Sequence, residues 1–108
     1  MRAFIRFFCL SMLFSCNPHI RHAEVQVMGN CEMCRETIEN ALKIPGILKA
    51  SWSPETRILE VDFNESVINL NDIRKKVADA GYDSDSLKAP LENYSRLHEC
   101  CRYRENLP

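Results

Sequence analysis

Little in this chain of 108 residues points to nucleic acid, because its 14 Lys and Arg nearly balance 15 Asp and Glu and leave a formal net charge of −1. Phosphate-backbone binding normally shows as a basic patch or a high pI. Nucleic acid is therefore not an expected partner. Glycine is scarce, at three residues, and none belongs to a glycine-rich loop of the kind that cradles phosphates. A Ser/His/Asp constellation and a carboxylate pair at strand ends are also missing, so hydrolase chemistry finds no support. Low-complexity tracts are absent. No apolar run approaches the ~20 residues that a membrane-spanning helix requires. The length fits one domain and excludes a barrel enzyme or a repeat array. Cysteine breaks this pattern of scarcity. Six are present, a density that calls for a disulfide, a metal or a lipid.

The first residues read as an export signal. Arg2 and Arg6 give a positive start, and Phe7 to Phe14 form a short apolar run broken only by Ser11. Such a run fits a signal-peptide core of ~7–15 residues. Leu13-Phe14-Ser15-Cys16 then resembles a bacterial lipobox, which predicts a signal peptide over 1–15 and a lipid on Cys16. Residues 16–23, with Pro18, read as a tether in which His19 and His22 are solvated, with weak accessory metal binding as the alternative. The expected location is the bacterial cell envelope, anchored to the membrane and facing the periplasm.

The rest predicts an α+β domain. Val25 and Val27 alternate with Glu24 and Gln26, the period of a half-buried strand. Cys34, Ile38 and Leu42 share a helical face that Pro45-Gly46 ends. Ile47–Trp52 and the alternating Leu59, Val61 and Phe63 make a hairpin across Ser53-Pro54-Glu55-Thr56. Asn69 and Asp72 suggest a capping box ahead of the stripe Leu70, Ile73, Val77 and Ala80, which Gly81 closes. Tyr82–Leu87 is expected to be a last strand, completing a ferredoxin-like βαββαβ sandwich. Leu91–Cys101 suggests a further helical segment.

Chemistry concentrates at Cys31-Glu32-Met33-Cys34. A C-x-x-C pair on a strand-to-helix turn brings two sulfurs to a helix N-terminus, where backbone N–H groups favour thiolates. Thiolates are soft ligands that select copper(I), zinc(II) and similar ions over magnesium or calcium. Two sulfurs fall short of a closed structural zinc site. The same motif also serves thiol–disulfide exchange, but no tryptophan precedes Cys31 and the strand order is not that of a thioredoxin.

With the strand at Val25–Val27, the C-x-x-C helix, Pro45-Gly46-Ile47, the hairpin and Ala80-Gly81-Tyr82, residues 24–87 resemble a heavy-metal-associated domain. This is the module of copper chaperones, metal-transporting ATPases and mercury-scavenging periplasmic proteins. The resemblance implies metal binding by Cys31 and Cys34, no enzymatic activity, and a metal-transporting ATPase or another envelope metal carrier as partner. Copper(I) is the leading ion, with mercury(II) and zinc(II) as alternatives. The family's glycine-methionine-threonine before the first cysteine is replaced by Gly29-Asn30, so its buried methionine is expected to be missing or replaced by Met33. Tyr82 falls where bacterial copper-handling members carry a tyrosine near the site; a core aromatic is the alternative role. Beyond the domain, residues 88–108 carry His98, Cys100 and Cys101. These are either additional soft ligands folded over the C-x-x-C site or, for the two cysteines, partners in a disulfide.

Overall fold

The computed structural model describes residues 19–106. The expected signal segment and Cys16 lie outside these residues. In chain order the elements are β1 (Ile20–Gln26), α1 (Glu32–Ala41), β2 (Ile47–Trp52), β3 (Ile58–Asn64) and α2 (Leu70–Asp79). Two short helices follow, α3 (Leu91–Tyr94) and α4 (Tyr103–Asn106), separated by a 3-10 turn at Glu99–Cys101. The sheet is antiparallel in the order β1-β3-β2.

Alternation decides which face the helices cover. Val25, Leu59, Val61 and Phe63 turn inward and join Ile38 and Leu42 of the α1 face with Ile73 and Val77 of α2 in one buried cluster. Glu24, Gln26 and Glu60 stay outside. Each fully buried aliphatic side chain contributes roughly 1.5–3 kcal/mol. Helix α2 begins with a complete capping box. The Asn69 side chain accepts from the Asp72 N–H at 2.8 Å, and the Asp72 carboxylate accepts from the Asn69 N–H at 3.2 Å. It ends at Gly81, whose φ of 105° lies in the left-handed region that glycine reaches without a steric cost.

Two expectations need correction. Strand β1 begins at Ile20, inside the residues read as a tether, and pairs Ile20 to Ala23 with Asn64 to Val61. His22, expected to be solvated, remains exposed but lies 2.6 Å from the Asp62 carboxylate opposite. Second, Tyr82–Leu87 does not form a strand, and only an isolated bridge joins Ser84 to Val27. Asp83-Ser84-Asp85-Ser86 are turn formers with low strand propensity, and the Ser84 N–H turns back to the Leu87 carbonyl at 2.9 Å. Residues 88–106 pack onto the domain. Tyr94, Leu97, Cys101 and Tyr103 are buried in the same core.

A compact polar and aromatic lock holds this extension. The Tyr103 hydroxyl donates to the Gly81 carbonyl at 3.0 Å and accepts from the Asp83 N–H at 2.8 Å. Its ring stacks on Tyr82 and meets Tyr94 edge-on, with centroids 5.7 and 5.2 Å apart. Arg104 grips both oxygens of Asp83, at 2.7 and 3.2 Å, and lies 4.4 Å from the Tyr94 ring centroid. Burial opposes the charged form of Asp83, yet bonds from Arg104 and the Ala89 N–H outweigh it and hold the carboxyl below its ordinary range.

Candidate metal centre

Cys31 is the N-cap residue of α1, with extended backbone and no oxygen capping the helix. Burial opposes its thiolate, but the N–H of Cys34, the Cys34 and Cys101 thiols and the N–H of Met33 outweigh burial and lower its pKa. Cys34, one turn further, is fully buried, and Oδ1 of Asn30 accepts from its thiol at 3.1 Å. The loop is shaped from beneath by Trp52, whose indole N–H donates to the Val27 carbonyl at 2.9 Å. A Cβ on Gly29 would come within 2.9 Å of that ring, so the loop can sit on Trp52 only with glycine there.

The extension supplies a third sulfur. Cys101, 1% exposed, places Sγ 3.8 Å from Cys31 Sγ, which in turn lies 3.5 Å from Cys34 Sγ. All three sulfurs lie within 4.8 Å of one another. Cys31, Cys34, Cys100 and Cys101 are free thiols. Burial raises the Cys101 pKa strongly, with the adjacent Cys34 thiol adding to the effect. The Tyr82 hydroxyl faces the Cys34 and Cys101 thiols, and burial pushes its pKa up steeply. That buried hydroxyl has no hydrogen-bond partner among the described residues.

The remaining expected residues stand apart. Cys100 is exposed and turns toward Met33, with its Sγ 3.6 Å from Met33 Sδ. His98 is exposed on the rim of a groove of about 270 Å³ that also reaches Tyr82 and Cys101. Met33 is 42% exposed and does not replace the buried loop methionine, while Met28 packs partly against the core. Sequence reasoning passed over Asn30 and Trp52. A polar residue preceding Cys31 was the available signal for the first; a lone tryptophan ending a strand gave none for the second.

Residues 24–83 match the heavy-metal-associated domain. The chain belongs to the heavy-metal-associated family. The copper chaperone CopZ of Staphylococcus epidermidis is 30% identical over 61 residues, which cover 55% of this chain and 90% of that one. A probable copper-transporting ATPase of Arabidopsis thaliana is 28% identical over 95 residues, or 86% of this chain; the match spans 9% of the ATPase. Oxidized MerP from Ralstonia metallidurans CH34 superposes with a TM-score of 0.58 at 31% identity, covering 61% of this chain and 94% of that one. This heavy-metal-associated chain is thus a ferredoxin-like metal-binding module.

Proposed function

We propose that the protein binds one copper(I) ion through Cys31, Cys34 and Cys101 and stores or relays it at the bacterial cell envelope. The observation that carries this reading is three thiol sulfurs within 4.8 Å of one another at a helix start. Soft thiolates prefer copper(I) to hard cations, and two relatives are named for copper. Binding displaces the thiol protons, leaving anionic sulfur that needs donors. The unpartnered Tyr82 hydroxyl beside Cys34 and Cys101 is one such donor. The donor set therefore fits the ion. A third thiolate makes the site a firmer holder than a surface pair, which suits sequestration followed by handover to a metal-transporting ATPase. Mercury(II) and zinc(II) remain the competing cargoes.

Anaerobic competition with a chromophoric chelator should give one copper(I) per chain, and copper-edge absorption should count three sulfur neighbours. C101S should leave two sulfurs and weaken binding at least about tenfold, or ~1.4 kcal/mol. Unchanged affinity in C101S, or tighter selection of mercury(II) or zinc(II), overturns the assignment. The lipobox-like Leu13-Phe14-Ser15-Cys16 supports anchoring through a lipid on Cys16. Mass spectrometry of the membrane fraction should find an acylated cysteine at the mature N-terminus.

A further inference from the structure

The sulfurs of this protein do not end at the three that lie together. Cys100 Sγ lies 3.6 Å from Met33 Sδ on one side and 4.0 Å from Cys101 Sγ on the other. Cys101 Sγ is 3.8 Å from Cys31 Sγ, and Cys31 Sγ is 3.5 Å from Cys34 Sγ. Five sulfurs therefore form an unbroken series with no step longer than 4.0 Å. Met33, at 42%, and Cys100 are exposed, Cys31 is half-buried, and Cys101 and Cys34 are buried, at 1% and 0%. Neither Met33 nor Cys100 belongs to the buried core cluster. Thioether and thiolate are both soft donors suited to copper(I).

We infer that Met33 and Cys100 form a surface docking station through which copper(I) reaches and leaves the trio of Cys31, Cys34 and Cys101. The inference rests on the proposed copper site at Cys31, Cys34 and Cys101. An arriving ion, released by its carrier, bonds to Met33 Sδ and Cys100 Sγ, and Cys100 gives its thiol proton to solvent. The ion then exchanges onto Cys101, Cys31 and Cys34 as their three thiol protons leave to solvent and its bond to Met33 Sδ breaks. Cys100 takes a proton back once its bond to the metal breaks. Copper remains copper(I) throughout and no electron moves.

A docking station changes rates and leaves the final equilibrium almost untouched, because the resident ligands are the same with or without it. The test uses the full chain and the variants M33L, C100S and M33L/C100S. Equilibrium copper(I) affinity, by competition with a chromophoric chelator, should stay within about threefold of wild type, or ~0.7 kcal/mol. Stopped-flow transfer of copper(I) from the chelator should slow at least about tenfold in the double variant. Both residues are exposed, so folding is expected to survive, as circular dichroism would verify. Wild-type binding together with an unslowed double variant overturns the docking station alone. A double variant whose affinity falls as much as its rate overturns it too, since Cys100 would then be a resident ligand. Wild-type protein that takes up no copper(I) overturns the proposed function and the station with it.

Discussion

The front and back of the sulfur cluster are held in different ways. At the front, Cys31 and Cys34 ride on local structure: a glycine loop seated on Trp52, then the first turn of a helix whose Ile38 and Leu42 lie in the core. At the back, Cys101 sits on a three-residue 3-10 turn with little internal stability. Its position depends on Tyr103 and Arg104, which bind Gly81 and Asp83 about twenty residues earlier in the chain. The front pair is placed by turn chemistry, and the third thiol by tertiary packing. A cluster built this way can lose its third sulfur by loosening one lock, without disturbing the other two.

The largest effect is expected at the front. C31S/C34S should abolish copper(I) binding in the competition assay while preserving the fold, since a serine at 34 can still donate to Asn30. Retained stoichiometry would show that the extension binds metal alone. Next comes the lock. Tyr103→Ala removes a ring packed between Tyr82 and Tyr94 and leaves the Gly81 carbonyl and Asp83 N–H without their partner. Loss of so large a buried aromatic costs about 3–5 kcal/mol, measurable by urea unfolding. Copper affinity should fall as well, toward the value of C101S. For that reason, the point variant C101S separates metal ligation from packing more cleanly than truncation after Leu91, which would strip Tyr94, Leu97 and Tyr103 from the core.

Acid should attack the same lock. The folded Asp83 carboxyl titrates below its ordinary value, which is about 3.9 in an unfolded chain. The unfolded state therefore takes up the proton first as pH falls. The contribution of the Asp83–Arg104 pair is whole at neutral pH and drains away as pH drops below about 4. D83N should flatten that part of the acid-unfolding profile. An unchanged slope would mean that the lock is carried by its aromatic rings.

The same division explains what was legible before any coordinates. Helix α2, the hairpin and the C-x-x-C helix carry their own periods, caps and turn residues, so each could be read locally. The start of β1 could not, because Ile20-Arg21-His22-Ala23 lacks a clean alternation and its strand character comes from pairing with Val61 to Asn64 of β3, far along the chain. The absence of a last strand is written in Asp83-Ser84-Asp85-Ser86, a run of turn formers that leaves only the isolated Ser84–Val27 bridge. The extension was the least legible region. Helices of four residues are too short to show a period, and no local rule distinguishes Cys101, turned inward, from Cys100, turned outward.

The smallest effect should come from one oxygen atom. The Tyr82 hydroxyl is buried without a hydrogen-bond partner among the described residues, and such a group costs about 1–3 kcal/mol. Tyr82→Phe removes that cost while leaving the ring stacked on Tyr103. Metal-free protein should therefore gain stability, by about 1 kcal/mol at the low end of that range. Copper-loaded protein should behave in the opposite sense. Once Cys34 and Cys101 are thiolates, the hydroxyl has charged acceptors, and hydrogen bonds to charged groups contribute about 1.5–3 kcal/mol. Sulfur is a weaker acceptor than oxygen, so a loss of copper affinity of about tenfold or less is expected. Urea unfolding of the metal-free variant and chelator competition on the loaded one should move in opposite directions. If both moved the same way, Tyr82 would be a packing residue and no part of the copper site.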